Sequence, residues 1–397
     1  MKARVNSNRI FIPGNRYLII FLTFLSAFPP LTIDMYLPAL PTLAETMHTT
    51  NEIASYSLTY FFFIYAFATL VWGPVSDKYG RKPVLIYGIL LYILSSIAIS
   101  ICTTIWQLLL LRCLQAIGCA SASAMSLAIV KDVLRGPIME RLVSLMQAAH
   151  ILAPLTAPVI GGAMLYFTSW RGIFWVLTIC GILALAGSLL YNETGLKKKD
   201  ISLFGAFARI RIALENKKFL ARLLLFSILA MPFSSFLAAS SFVYQVQFKL
   251  TPQEFSGFFA FNALFSLLGP LAHLYIFSKW QKTTLIFWEI LIPCIAGVLM
   301  LLLGNSSPWI FALLMMPITF CGAAMRPPAT VLMMQAIHGD NGVAASLIQC
   351  CGMFFGSLSM LLATLTFWPT PASAIATIAF VISLLCLLFW IKLPDEE

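Results

Sequence analysis

The sequence predicts an all-α membrane protein with twelve transmembrane helices in two six-helix bundles. Of its 397 residues, 60% are hydrophobic and 10% are charged, whereas a soluble domain carries roughly 25% charged residues. Twelve apolar runs approach the length of about 20 residues that crosses about 30 Å of hydrocarbon. One long polar stretch, Asn192 to Lys218, separates the first six runs from the last six. This balance excludes a water-soluble enzyme.

The boundaries of the predicted helices follow from the apolar runs. The first apolar run follows a basic tail. It is longer than the apolar run of a signal peptide and no clear cleavage site follows it, so we expect it to stay in the protein as a membrane anchor. The chain should divide into an N-terminal bundle (1–192), a cytoplasmic central loop (193–218) and a C-terminal bundle (219–397). The predicted spans are 17–42, 53–75, 83–103, 105–130, 139–168, 171–192, 219–247, 254–278, 284–303, 308–336, 342–367 and 372–391.

Lysine and arginine residues gather on one side of this topology. Of the 25 such residues, all except Arg112, Arg171, Lys249 and Arg326 lie in the N-terminal tail, the C-terminal tail or the loops on that side. The positive-inside rule therefore predicts that both termini are cytoplasmic and that the chain crosses the bacterial inner membrane several times. The net charge of +10 is explained by these loops, so the expected partner is the lipid bilayer and not a nucleic acid.

Motifs for enzymatic or ATP-driven chemistry are missing from the sequence. It contains no G-x-x-x-x-G-K-[ST] loop for phosphates, and no G-x-S-x-G, H-E-x-x-H or dinucleotide-binding glycine pattern. The nine cysteines lie within or at the ends of the apolar runs and form no Cys-x-x-Cys pair. We therefore expect no enzyme, cofactor, metal site or disulfide, and the energy for uphill transport would come from an ion gradient.

Two ionisable residues of the first half are predicted to couple transport to protons. A charge inside the membrane costs about 2.5 kcal/mol or more, so such residues are functional candidates. Asp34 and Arg112 each lie about eight residues from the outer end of a span, which places both about 12 Å below the outer surface. Asp34 could load and release a proton there. The alternative is a permanent structural ion pair.

The second half contributes Glu289 and Arg326, which we predict to form a structural ion pair at similar depth. Arg326 could instead reach the inner surface or face an anionic substrate. In the fifth span, His150 lies four residues after Met146 and so shares its helix face; it is either a satisfied buried histidine or a cavity residue. Aromatic residues of the spans could pack or stack on a ligand. The predicted cavity residues are Tyr36, Tyr60, Met146, His150, Phe236, Glu289, Arg326 and Phe355.

The loop after the second span has the order Gly73-x-x-x-Asp77-x-x-Gly80-Arg81-Lys82. Its glycines could permit a tight reversal, and its charges could hold helix ends together; a solvated basic turn is the alternative. The spacing resembles the G-x-x-x-D-x-x-G-R-[RK] signature of the major facilitator superfamily. The resemblance implies the major facilitator fold, with these five residues as an inner gate.

Two further segments resemble motifs of the same superfamily. Arg112 to Gly118 is similar to the R-x-x-Q-x-x-G motif of proton-coupled members, which ties Arg112 to proton coupling. Ala157 to Gly162 is similar to the antiporter motif that ends G-P-x-x-G-G, although Ala157 replaces a glycine. Close helix packing through small residues is the alternative role. The motif residues in this chain are Pro154, Pro158, Gly161 and Gly162.

Within the superfamily, Ile33 to Pro41 (IDMYLPALP) resembles the first-span signature of the Bcr/CflA drug-resistance group, and Trp170-Arg171-x-x-Phe174 also fits it. The resemblance implies a monomeric, proton-coupled exporter of small lipophilic drugs that works by alternating access. A dedicated exporter of an endogenous metabolite, such as a siderophore or a sugar-like compound, is the alternative. A transporter-like receptor and a passive channel rank lower. Asp340 is predicted to cap the eleventh helix beside the gate.

Overall fold

The computed structural model describes residues 16–193, 210–277, 280–337 and 341–392. These residues contain twelve helical spans, so the predicted all-α fold class and span count are confirmed. The central loop lies largely outside the described residues, as do the basic tail before Arg16 and Asp340. The spans are α1 (Arg16–Thr46), α2 (Asn51–Tyr79), α3 (Arg81–Ile101), α4 (Ile105–Val133), α5 (Gly136–Met164), α6 (Trp170–Leu190), α7 (Lys217–Gln247), α8 (Pro252–Tyr275), α9 (Lys282–Leu303), α10 (Pro308–Gln335), α11 (Asn341–Thr364) and α12 (Pro371–Lys392).

Helix α1 is interrupted directly after Asp34. Its first segment is Arg16–Asp34, a 3-10 turn follows at Leu37–Ala39, and a second segment covers Leu40–Thr46. Pro38 stands at the start of the turn, and because proline has no backbone N–H it cannot continue the hydrogen bonds of the preceding helix. The sequence motif around Asp34 therefore encodes a break in a membrane-spanning helix.

Two helices of the second half are also interrupted. Helix α7 is divided into Lys217–Ile228 and Met231–Phe242 and ends in a π-helical turn, Val243–Gln247. Helix α10 is divided into Pro308–Ala324 and Arg326–Gln335. Helices α1 and α7 open the two halves of the chain, and broken helices at corresponding positions are typical of transporter binding sites. In such transporters the binding site lies at the contact of the two halves.

The outer surface of the bundle is apolar. Along α9, the side chains of Trp288, Ile292, Ile295, Leu299 and Leu302 are between 39% and 72% exposed. Exposed apolar side chains on this scale would be unfavourable in water but match a hydrocarbon environment. The exposed face of α9 is therefore the lipid-facing surface of a multi-pass membrane protein.

The two halves meet through α2 with α11 and through α5 with α8. We call the side that carries the α2–α3 turn the basic face, and the other side the opposite face. Three hydrogen bonds join the halves near the opposite face, where α1, α5 and α7 end and α8 begins. They run from Gln245 Nε2 to Pro38 O (3.0 Å), from Gln253 Nε2 to Gly162 O (2.8 Å) and from Ser256 Oγ to Pro158 O (2.8 Å).

Candidate functional site

Asp34 is the last residue of the first helical segment of α1, and its side chain is buried, with 4% of the residue exposed. In the part of the chain that the structure describes, no lysine or arginine lies within ion-pair distance of its carboxyl group. The carbonyl end of a helix also carries partial negative charge, which opposes an anion there. A carboxylate at this position would be both unpaired and desolvated, which is energetically costly.

Arg112 of α4 is completely buried and surrounded by aromatic rings. Its guanidinium carbon lies 4.5 Å from the ring centroid of Phe61, 5.1 Å from that of Tyr36 and 5.7 Å from that of Phe174. The negative faces of aromatic rings attract a cation, and this attraction strengthens when water is excluded. The rings from α1, α2 and α6 therefore partly compensate the buried charge.

A short polar network orients Arg112 within the first half. Its Nη1 donates to Gln115 Oε1 at 2.6 Å, and Gln115 Nε2 donates in turn to Ser96 Oγ of α3 at 2.8 Å. The structure therefore brings Asp34 and Arg112 into the same half without forming an ion pair between them. The alternative of a permanent structural pair does not describe this conformation, because Gln115 and the aromatic rings occupy the surroundings of Arg112.

The ion pair predicted between Glu289 and Arg326 is wrong for this structure. Glu289 is 5% exposed within the second half, so its assignment to the cavity is also corrected, and neither carboxyl oxygen has a hydrogen-bond partner among the described residues. Arg326 begins the second segment of α10 and is exposed, with its guanidinium 5.9 Å from the ring of Phe233. The two residues lie at similar depth in the membrane, but their side chains do not meet, because Glu289 is packed between helices and Arg326 is exposed.

His150 and Met146 of α5 both contact α1. His150 is half-buried, and its Nδ1 is 3.1 Å from the backbone oxygen of Ser26 in α1. Met146, the predicted cavity residue on the same helix face, is 5% exposed, and its backbone oxygen accepts a hydrogen bond from Ser26 Oγ. Both residues are therefore held against α1, and the burial of Met146 corrects its assignment to the cavity.

Two predicted cavity residues are buried inside their own halves instead. Tyr36 has no exposed surface, and its hydroxyl is 3.1 Å from Ser57 Oγ of α2. Phe236 is 1% exposed and stacks on Phe259 at a centroid distance of 5.5 Å. Their assignment to a cavity is corrected for this conformation. The break in α1 turns Tyr36 toward α2, and the apolar pattern alone could not predict that direction.

Tyr60 and Phe355 lie along the contact of α2 with α11. Tyr60 is 38% exposed and shares a helix face with Phe63 and Phe67, whose rings lie 5.9 Å and 6.1 Å from that of Phe354 in α11. The ring of Phe355, which is half-buried, is 5.5 Å from that of Phe354. Both residues are thus placed at the contact between the halves.

The turn between α2 and α3 is held by an ionic network centred on Arg81. Its Nη1 pairs with Asp77 Oδ1 at 2.7 Å, its Nε pairs with Asp132 Oδ2 at 2.8 Å, and it also donates a hydrogen bond to Ser76 Oγ. Asp132 stands near the end of α4, so one guanidinium links the ends of three helices. The sequence analysis missed Asp132, although an acid in an otherwise basic loop was an available signal.

Glu193, directly after α6, completes this network and was also missed. Its two carboxyl oxygens accept hydrogen bonds from the backbone N–H groups of Arg81 and Lys82, both at 3.0 Å. Gly80 has φ of +101°, and a Cβ placed there would lie 2.5 Å from Glu193 Oε2. Gly80 is therefore favoured by its positive φ, and a side chain there would displace the Glu193 carboxylate from its hydrogen bonds. Lys82 Nζ donates to the backbone oxygen of Leu189 at 2.7 Å.

The other glycine of the motif does not act as expected. Gly73 lies inside α2, and a Cβ at this position would meet no atom within 4 Å. It takes no part in the tight reversal, which begins only after Tyr79. The expectation that both glycines permit the turn is therefore wrong for Gly73.

Exchanging Asp77 for asparagine or Arg81 for cysteine is expected to lower transport several-fold while leaving membrane insertion unchanged. Asp77→Asn removes one ion pair, whereas Arg81→Cys removes the pairs with both Asp77 and Asp132. The two carboxylate side chains are 43% and 27% exposed, and pairs at exposed sites contribute about 0–1 kcal/mol each to stability. Uptake into proteoliposomes, normalised to the inserted protein, measures the effect. Arg211→Cys, which breaks the exposed pair with Glu215, is the control. Equal transport by the Asp77 and Arg81 variants and the parent would remove the gating role.

The predicted antiporter motif consists of Pro154, Pro158, Gly161 and Gly162, which all lie within α5. A Cβ at Gly161 would overlap the backbone oxygen of Met35, directly after Asp34, and one at Gly162 would overlap Ser256 Oγ of α8. The glycines thus bring α5 close to the break in α1 on one side and to the second half on the other.

Twelve apolar spans in two halves, with broken helices and an isolated acid, are the architecture of a multi-pass membrane transporter. The chain belongs to the Major Facilitator Superfamily, whose family profile matches residues 19–360. It is therefore a transporter and not an enzyme.

Individual relatives agree with this assignment. The chain is 28% identical over 287 residues to the bicyclomycin resistance protein homolog of Haemophilus influenzae, covering 72% of each protein. It is 28% identical over 280 residues to the chloramphenicol resistance protein CraA of Acinetobacter baumannii, covering 68% of this chain and 66% of that one. A POT family transporter solved with 5-aminolevulinic acid has the same fold, with a TM-score of 0.76 at 15% identity over 94% of this chain and 96% of that one. The resemblance to drug-resistance members of the superfamily is confirmed.

Proposed function

We propose that this transporter is a proton-coupled antiporter that exports lipophilic drugs or antibiotics by alternating access. The observation that carries the proposal is the isolated carboxyl group of Asp34, buried at a helix break with no cation paired to it among the described residues. Such a group favours its protonated form while it remains desolvated. It can lose that proton when a conformational change admits water or brings a cation closer.

The packing of α5 offers a route from Asp34 to the contact between the halves. The backbone that follows Asp34 lies against Gly161, and the next residue, Gly162, accepts a hydrogen bond from Gln253 of α8. A change in the conformation of the α1 break would therefore displace the part of α5 that holds the opposite face closed. In this proposal, protonation of Asp34 and separation of the halves at that face are coupled through α5.

The proposed orientation follows the distribution of basic residues. With both termini in the cytoplasm of a bacterial cell and the chain in its inner membrane, the opposite face is the outer one. The hydrogen bonds of Pro38, Pro158 and Gly162 to the second half then describe a conformation closed toward the outside. The transporter is proposed to act as a monomer in the bilayer, exchanging protons for small lipophilic substrates.

The names of the relatives support antibiotics as the first substrates to test, namely bicyclomycin and chloramphenicol. Purified protein in liposomes with an acidic lumen should accumulate either compound above its external concentration, because outward proton flow drives substrate inward. A protonophore should abolish that accumulation. Simple equilibration that is independent of the pH difference would contradict proton coupling. Transport of neither compound, together with transport of an endogenous metabolite, would favour the alternative of a dedicated metabolite exporter.

A further inference from the structure

Arg326 is the exposed member of the four charged residues that lie deep within the spans. Asp34, Arg112 and Glu289 are 4%, 0% and 5% exposed, whereas Arg326 is exposed although it stands at the break in the middle of α10. Because a charged side chain at this depth faces the bundle interior or a water-filled cavity and not lipid, an exposed arginine here lies on the wall of a cavity. Among the described residues, no carboxylate lies within ion-pair distance of Arg326.

The neighbours of Arg326 identify which cavity this is. Phe233 of α7 presents its ring 5.9 Å from the guanidinium of Arg326, so the second half supplies an apolar surface beside the charge. Phe233 lies in the segment Met231–Phe242 of α7, which packs against α2 of the first half. Arg326 therefore faces the space between the halves, through which alternating access would carry a substrate.

The chemistry of this position favours an oxyanion. A guanidinium offers a planar set of N–H donors that matches a carboxylate or phosphate with two parallel hydrogen bonds. An unpaired cation in a cavity between helices attracts an anion more strongly than an arginine in bulk water does, and it repels a cationic ligand. The adjacent Phe233 ring can pack against an apolar body attached to the anionic group.

We propose that Arg326 and Phe233 form an anion-recognition site in the cavity between the halves, which selects ligands that join a carboxylate or similar oxyanion to an apolar or aromatic body. This site deepens the proposed export function and rests on it for the role of the bound compound. Its ligand binding is a separate property that can be measured without transport.

Chloramphenicol and its hemisuccinate ester make a matched pair of probes, because the second adds one carboxylate to the same scaffold. We expect calorimetric titration of the purified parent protein to show tighter binding of the hemisuccinate, with a difference that shrinks as sodium chloride is raised. Arg326→Gln should weaken hemisuccinate binding about tenfold or more and change chloramphenicol binding much less. Arg326→Lys should restore part of the loss, because it keeps the charge without the planar donors.

Arg211→Gln is the control for net charge, since Arg211 is exposed and paired with Glu215 outside the spans; it should leave both affinities unchanged. Thermal unfolding establishes that each variant is folded. If Arg326→Gln does not fold, the anion site is tested by two measurements on the parent and the Arg326→Lys variant: their preference for the hemisuccinate over chloramphenicol and the salt dependence of that preference. Equal affinity of the parent for both probes, or no hemisuccinate binding, would overturn the inference. Absence of chloramphenicol binding alone would count against the drug-export proposal and leave the anion site intact.

Discussion

Asp34→Asn is expected to reduce substrate accumulation driven by a pH difference to the level of protein-free liposomes. Asparagine has nearly the shape of a protonated aspartic acid but carries no titratable proton, so the variant would be held in one of the two states that the antiport cycle requires. Because Asp34 is buried without a cationic partner among the described residues, its neutral replacement should not leave an unpaired charge behind. Uptake of chloramphenicol into liposomes with an acidic lumen measures the effect.

Glu289→Gln is the matched control for this experiment. Glu289 is also a buried carboxyl group without a hydrogen-bond partner in the described part of the chain, but it lies within the packing of the second half, away from the break in α1. The control should keep gradient-driven uptake, and chloramphenicol binding to Asp34→Asn should persist. Undiminished accumulation by Asp34→Asn would refute the assignment of the proton to Asp34.

The membrane topology could be predicted because the bilayer imposes a simple rule on sequence. A helix that satisfies its own backbone hydrogen bonds and carries about 20 apolar residues is the favoured way to cross hydrocarbon, so hydropathy alone gives the spans. The first predicted span, 17–42, corresponds to Arg16–Thr46 in the structure. Hydropathy does not predict the break after Asp34, because the break depends on the position of Pro38 relative to the end of the first segment of α1.

Contacts inside the site were less predictable, because depth along a helix does not fix the direction in which a side chain points. Asp34 and Arg112 were placed at one depth, yet Arg112 is compensated by Gln115 and by the ring of Phe61. An aromatic ring that receives a cation looks the same in sequence as one that faces lipid. Glu193 follows the C-terminal end of α6, where an acid is not an expected helix cap, and its contact with the start of α3 depends on how α6 ends beside the α2–α3 turn.

Gly161→Ala is expected to abolish transport and to lower thermal stability. The added Cβ would overlap the backbone oxygen of Met35, and because backbone cannot move aside by changing a rotamer, α5 or the break in α1 must shift. Overpacking of this kind typically costs about 1–3 kcal/mol. This shift would disturb the packing of α5 against the break in α1, through which Asp34 is proposed to act on the contact between the halves. Substrate uptake and thermal unfolding of the purified variant measure the two effects.

Gly257→Ala provides the control, since a Cβ at Gly257 of α8 would meet no atom within 4 Å. Gly162→Ala tests the other side of α5, where the added methyl group meets the Ser256 side chain and not α1. It should weaken closure of the opposite face, because the Ser256 side chain, which donates to Pro158 O, must move. Disulfide trapping between cysteines introduced across that face reports the closure. If Gly161→Ala and Gly257→Ala transport equally well, α5 does not connect Asp34 to the second half, because the tight approach at Met35 would then be dispensable.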